Sequence, residues 1–252
     1  MSNYCDFAFV YDRLTGNVNY SERAEYIRTL FKRCGVADGA DVLDLACGTG
    51  TLTLELAENY SMIGVDNSPE MLSQAQEKMY DAEKRILFLC QDMTELDLYG
   101  TVDAAVCMLD SLNHLDSPEN IRRAIGKVGL FMNHGGIFVF DVNTIYKHRE
   151  ILGNNTFIYD CDDVYCVWQN QLGGDDSVDI SLDIFEQDGD AYFRSEESFT
   201  EIACPIDDYK KWLREAEFEI INIFDEMSDK PLSDTTERAV FVARYNGKKE
   251  EK

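Results

Sequence analysis

Basic residues are scarce in this 252-residue chain: 23 lysines and arginines stand against 48 aspartates and glutamates, for a formal net charge of −25. So acidic a surface repels phosphate backbones and offers no basic stripe, so no nucleic-acid partner is expected. Long apolar runs are missing as well. None approaches the roughly 18 to 20 residues that cross a bilayer, and no membrane association is expected. The opening MSNYCDFAFV has neither a basic segment ahead of an apolar stretch nor a small-residue cleavage site, which makes the cytoplasm the expected compartment. Close cysteine pairs are also lacking. Cys5, Cys34, Cys47, Cys90, Cys107, Cys161, Cys166 and Cys204 form no CxxC motif, and Cys161 and Cys166 have no neighbouring ligands to complete a metal site, so none is expected. Cys47, Cys90 and Cys107 lie in or beside apolar runs, as reduced core thiols do. No internal repeat or low-complexity linker interrupts the chain, which is long enough for one large domain, alone or with a smaller insert.

Five short apolar runs are present: VLDLA at 42–46, MIGVD at 62–66, ILFLCQD at 86–92, VDAAVCML at 102–109 and GIFVFDVN at 136–143. Continuous rather than alternating apolarity suits strands buried on both faces of a parallel sheet. Ser68-Pro69-Glu70 and Ser117-Pro118-Glu119 each supply an N-cap serine, a proline at the first helical position and an acid near the positive end of the helix dipole. After the second, Ile121, Ala124, Ile125, Val128, Phe131 and Met132 share one helical face. This alternation predicts a doubly wound α/β domain. From about 150 the pattern changes to three longer polar strands separated by Gly173-Gly174-Asp175 and Asp188-Gly189-Asp190, an antiparallel meander. Residues 160–201 hold 13 acids and one base, Arg194, a net −12, which reads as a solvated outer sheet face or as a patch for a cationic partner. A helix at 206–217 and strands at 219–224 and 239–245 would rejoin the main sheet, leaving a frayed GKKEEK tail.

The most specific segment is DLACGTGTLTLELA, residues 44–57. Its glycines at a strand-to-helix turn let backbone approach a ligand closely and aim a helix N-terminus at it. Asp66 stands 22 residues beyond Asp44 at the end of the next strand, where an acid can accept both hydroxyls of a ribose. A dinucleotide site reads GxGxxG, but Thr53 occupies the third glycine's place. Acids also end all five runs: Asp44, Asp66, Asp92, Asp110 and Asp141. That set suits hydroxyls, amines and a cation better than a pyrophosphate.

On these motifs the chain resembles the class I S-adenosylmethionine-dependent methyltransferases over most of residues 36–145 and the closing strands. The resemblance implies S-adenosylmethionine as cofactor and a mostly parallel, seven-stranded Rossmann-like sheet with an antiparallel β insert. It divides the chain into a cap and cofactor-binding core over 1–149, the insert over 150–203, and a helix and strands completing the core over 204–252. Asp44, Ala46, Gly48 and Gly50 would hold the methionine end and Asp66 the ribose. Asn67 and Met71 would lie beside the adenine, Gln91, Asp92 and Met93 would bracket its edge, and Met108, Leu109 and Asp110 would form a wall. The segment Ser111 to Leu115, the aromatic N-terminus and the insert are more loosely similar to glycine and amino-sugar N-methyltransferases. There Tyr11 and Tyr20 resemble tyrosines that close over the cofactor, and His114 a histidine facing the substrate; the alternatives are aromatics packed on the domain and a loop histidine.

The expected reaction is methyl transfer to a nitrogen or oxygen of a small-molecule acceptor, with alignment and water exclusion the main task and no covalent enzyme nucleophile. His114, then Tyr11, is the expected base or orienting group. Transfer to protein or RNA, a nicotinamide-dependent oxidoreductase and a cofactor-binding regulator without turnover are the rival readings. Trp168, Tyr146, Arg149 and Arg194 are further pocket candidates, the two arginines for a carboxylate or phosphate. A homodimer is left open.

Overall fold

The computed structural model describes residues 7–82 and 85–247. Cys5 and all of the tail after Gly247 lie outside them. Two helices open the described chain, α1 (Phe7–Leu14) and α2 (Tyr20–Cys34). The apolar runs form β1 (Asp41–Leu45), β2 (Ser61–Asp66), β3 (Leu87–Cys90), β4 (Val102–Cys107) and β5 (Met132–Asn143), with α3 (Thr51–Leu56), α4 (Pro69–Asp81) and α5 (Pro118–Leu130) between them. Both expected helix starts are capped: Ser68 Oγ accepts from the Met71 amide at 3.2 Å and Ser117 Oγ from the Asn120 amide at 3.3 Å. α5 ends two residues earlier than its apolar face suggests, with Phe131 closing it and Met132 already in β5.

A second, antiparallel sheet of four strands follows, β6 (Thr156–Cys161), β7 (Val164–Leu172), β8 (Val178–Asp188) and β9 (Ala191–Glu201). The expected three strands become four because the chain turns at Asp162-Asp163, with Asp162 at φ 43°. Two acids without a glycine are a weaker turn signal than the two glycine turns downstream, yet aspartate also tolerates the left-handed region. Then α6 (Ile206–Glu215), β10 (Phe218–Asp225) and β11 (Arg238–Tyr245) complete the first sheet in the order β10-β11-β5-β4-β1-β2-β3. β11 alone runs opposite to the other six strands. The strand order reverses between β1 and β4, which places a crevice beyond their carboxyl ends.

Apolar side chains fill both faces of this seven-stranded sheet, with Phe140 and Phe241 stacked at 4.7 Å in the layer under α5 and α6. β3 is an edge strand, so Cys90 is exposed rather than a core thiol; Cys107 is fully buried and Cys47 half-buried. The alternate residues Val178, Ile180, Leu182 and Ile184 of β8 pack with Val164 and Cys166 of β7 against Ala8 and Val10 of α1 and Met71 of α4. The second sheet thus closes over the crevice with α1 between the layers. Arg13 of α1 is tied to it by ion pairs to Asp163 at 2.6 Å and Glu186 at 2.9 Å. No described helix is long and apolar enough to cross a membrane.

Candidate functional site

The crevice encloses a cavity of about 560 Å³ that runs from the carboxyl ends of β1 and β2 to the inner face of the second sheet. At its near end the backbone leaves β1 through Ala46 at φ 59°, then Gly48 at 54° and Gly50 at 73°. A Cβ on Gly48 would stand in open space, whereas one on Gly50 would lie 2.8 Å from the Ala75 Cβ of α4. Gly48 lines the cavity; Gly50 lines neither it nor its side pocket and lets α3 pack on α4 instead. Asp66, at the end of β2, accepts from the Gly48 amide at 2.8 Å and the Ser68 amide at 2.9 Å. Each oxygen keeps lone pairs for a ligand hydroxyl. Burial raises its pKa against these backbone hydrogen bonds. Asn67, Met71, Gln91, Asp92 and Met93 continue the same wall. Gln91 is held by the Asp97 backbone at both ends of its amide, and Asp92 Oδ1 caps the next turn at the Thr94 amide.

A narrow side pocket of about 40 Å³ opens beside the glycine turn and takes in Asp44, Ala46 and Gly48, three of the four residues expected at the methionine end. Asp44, Tyr20 and Met108 line it together with Tyr11, Ala46 and Gly48, which also face the main cavity. Asp44 is buried, accepts from the Thr53 hydroxyl at 2.6 Å, and has its pKa pushed by burial up to about 7. Burial likewise raises the Tyr11 and Tyr20 phenols, so both stay protonated at neutral pH. That suits Tyr11 to orient a ligand rather than to take a proton. Burial holds the Cys47 thiol well above its ordinary value, so it stays un-ionised. Asp12 locks α1 across this end by accepting from Thr49 at 2.7 Å and Thr51 at 3.2 Å and by an ion pair with Lys78.

The far end holds residues that sequence reasoning missed. After β4 the chain passes through two successive left-handed residues, Leu109 at φ 59° and Asp110 at 53°. Such non-glycine geometry costs on the order of 1–3 kcal/mol per residue and persists only where the surroundings enforce it. Here Asp141 enforces it, accepting from the Leu109 amide at 3.1 Å and the Asp110 amide at 2.6 Å. Asp141 is itself buried and paired with Arg238 at 3.0 Å and Arg23 at 3.4 Å, so this strand-end acid builds the wall without lining the cavity. Burial alone would raise the Asp110 carboxyl, but Arg238 at 2.8 Å, with Lys147 and His114 near it, holds it below the ordinary carboxylate range. Asn143 then joins three charged groups: it donates to Asp110 and to Glu201, the latter at 3.0 Å, and accepts from Lys147 at 2.9 Å.

His114 ends a one-turn helix, Ser111–His114, and borders the cavity with its ring 5.0 Å from Phe199 and its Nε2 3.7 Å from Glu201 Oε1. Phe157, Tyr159, Trp168 and Leu182 of the second sheet complete an apolar wall opposite. Trp168 is thus a pocket residue, as considered from sequence. Tyr146 does not line the cavity, and the two arginine candidates are spent on surface ion pairs, Arg149 with Asp176 at 2.5 Å and Arg194 with Asp183. Lys147 and Arg238 line it instead, and burial lowers the Lys147 pKa. Lys147 opens the short helix Lys147–Leu152 after β5, a context that carried no signal, because only the register of β5 against β11 brings it beside Arg238.

Residues 42–136 match the family model described as a methyltransferase domain. A putative methyltransferase of Bacillus subtilis, YqeM, is 33% identical over 244 residues, 96% of each chain. A crystal structure of an S-adenosylmethionine-dependent methyltransferase from Clostridium acetobutylicum superposes with a TM-score of 0.89 at 33% identity, covering 98% of this chain and 100% of that one. The sugar N-methyltransferase KedS8 from Streptoalloteichus shares the fold with a TM-score of 0.79 at 20% identity, covering 95% and 92%.

Proposed function

The chain belongs to the S-adenosylmethionine-dependent methyltransferases, and from that premise we propose that it methylates a small molecule, on nitrogen rather than oxygen, in the cavity between its two sheets. The observation that carries this reading is the cavity's continuity: one space joins Asp66 to His114 and the aromatic wall of the second sheet. A concave, largely apolar pocket of this size suits a small acceptor better than a protein or RNA strand. The likeness to a sugar N-methyltransferase supports nitrogen as the target.

The donor set fits S-adenosylmethionine. Asp66 offers two acceptor oxygens for ribose hydroxyls, Asn67, Met71 and Met93 provide a partly apolar slot for the adenine, and Asp44 is a buried acid ready to meet the cationic methionine end. The cofactor supplies a methyl group already activated on a sulfonium. The chain's residues bind, align and exclude water: Tyr11 and Tyr20 close the junction under α1, Ala46, Gly48 and Met108 shape it, Gly50 sets the packing of α3 on α4, Gln91 and Asp92 bound the outer edge, and His114 receives a proton from the acceptor. In this reading residues 1–149 and 204–252 form the cofactor-binding part and 150–203 the acceptor wall.

Calorimetric titration with S-adenosylmethionine and S-adenosylhomocysteine, beside NAD and NADP as controls, tests the premise directly. Asp66→Ala is expected to weaken cofactor binding by about 10- to 100-fold, the loss of charge-assisted hydrogen bonds; unchanged affinity would place the ribose elsewhere. Methyl transfer from labelled cofactor to matched panels of amines and alcohols tests the acceptor, and turnover of alcohols alone would overturn the nitrogen reading.

A further inference from the structure

Glu201 is the last residue of β9, only 3% exposed, and the partners within ion-pair distance of its two oxygens are both imidazoles. His114 Nε2 lies 3.7 Å from Oε1 and His148 Nε2 3.6 Å from Oε2. His148 is fully buried, and its Nδ1 lies 2.7 Å from the Asp176 carbonyl, which only accepts, so Nδ1 carries a hydrogen. His148 Nε2 makes no hydrogen bond among the described residues. Among the described residues no arginine or lysine lies within ion-pair distance of Glu201, so the two imidazoles and Asn143 are the groups that face its carboxylate. Asn143 fixes the same Oε2 as a donor at 3.0 Å, which leaves Oε1 as the acceptor facing His114.

The backbone holds this arrangement in register. Asn113, next to His114, exchanges hydrogen bonds with Ile202, next to Glu201: the Ile202 amide donates to the Asn113 carbonyl at 2.8 Å and Asn113 Nδ2 donates to the Ile202 carbonyl at 2.8 Å. Phe199, on the same face of β9 as Glu201, packs on the imidazole of His114. Among the described residues, Nδ1 of His114 makes no hydrogen bond to the protein, although the side chain borders the cavity and is 33% exposed.

We propose that Glu201 is a positioning residue for methyl transfer, holding His114 with its Nε2–H toward the carboxylate so that the Nδ1 lone pair faces the acceptor. This rests on the small-molecule reading above. As the acceptor nitrogen bonds to the methyl carbon, the carbon–sulfur bond breaks with its electron pair left on sulfur; the nitrogen, now cationic, releases one proton, and Nδ1 of His114 takes it. Asp110 and Asp66 also sense the charge of the ring, but among the described residues Glu201 is the carboxylate within ion-pair distance of it.

Nitrogen-15 spectra of the histidines test this on the protein loaded with S-adenosylhomocysteine, without any acceptor. The chain has three histidines, and His134, bonded to the Gly247 carbonyl at 2.8 Å, serves as an internal reference away from the cavity. At about pH 8, where a free imidazole is neutral, His114 is expected in the Nε2–H form. In Glu201→Gln the new carbonyl turns to the Asn143 donor and its NH2 toward His114, so His114 is expected to switch to the Nδ1–H form while His134 stays unchanged. An Nδ1–H form in the wild type, which needs no variant to fold, overturns the proposal, as does an unchanged tautomer in a variant that still binds S-adenosylhomocysteine. With any amine that the wild type methylates, Glu201→Gln is expected to lower kcat on the order of 10²-fold with KM and cofactor Kd little changed, and an unchanged kcat also overturns it. If the wild type methylates no amine, the nitrogen reading fails while the tautomer result still decides the role of Glu201.

Discussion

Asp44 carries the pH dependence expected of the binding site. With its pKa raised by burial to about 7, the folded protein holds a proton between about pH 4 and pH 7 that the unfolded chain has already released. The folded state binds more protons in that window, so stability from this group falls as pH rises through it, by at most about 4 kcal/mol at roughly 1.4 kcal/mol per unit. Asp44→Asn should flatten that part of the melting profile of the cofactor-free protein, and an unchanged slope would mean that Asp44 ionises freely. A cationic methionine end favours the ionised carboxylate, so cofactor binding below pH 7 should release up to about one proton, read from calorimetry in buffers of different ionisation enthalpy. The identity of Asp44 as a site acid was legible from its place before the glycine turn. Its protonation was not, because that depends on the side chains that exclude water around it.

The two glycines after β1 look equivalent in the sequence but do different work within their elements. Gly48→Ala meets no neighbour and suffers only from its left-handed backbone, on the order of 1 kcal/mol. Gly50→Ala adds a 2.8 Å clash with Ala75 between α3 and α4 to the same backbone cost, so it should destabilise by roughly 2–4 kcal/mol in denaturant unfolding. Cofactor affinity is expected to follow the reverse order, with Gly48→Ala the more damaging because only Gly48 lines the cavity. Equal losses in both assays would remove the distinction. Element ends were legible where local chemistry sets them: both serine caps with their following prolines start helices where expected. The hairpin at Asp162-Asp163 and the short helix Lys147–Leu152 were not, since neither holds a strong local signal.

At the scale of the whole molecule, the net charge of −25 makes the folded state repel itself. The screening length falls from about 30 Å at 0.01 M salt to about 8 Å at 0.15 M. The melting midpoint of the cofactor-free protein should therefore rise with salt over this range, by roughly 2–4 °C for each kcal/mol of repulsion relieved. A falling midpoint would show that ion pairs such as Arg13 with Asp163 and Glu186, which tie α1 to the second sheet, outweigh the repulsion. Asp160, Asp179, Asp183 and Glu196 alternate with the inward residues of that sheet, whereas Glu186 and Glu201 share their side, the first paired with Arg13 and the second facing His114 and His148.

Periodicity and capping decided the core sheet from the sequence alone, because strand burial, glycine turns and helix starts are local or nearly local properties. The placing of Asp44, Gly48 and Asp66 together at one end of the cavity was legible for the same reason: they stand at the carboxyl ends of strands whose order the chain itself spells out. The acceptor half was decided only by tertiary structure. Glu201, Arg238 and the pair Asn143 and Lys147 come from three separate segments, and they meet because β5 pairs with β11 and because the end of β9 is pinned to the turn before His114. A side chain at the end of a polar strand gains its chemistry from what packs against it, and for Glu201 that is two imidazoles brought from 87 and 53 residues away.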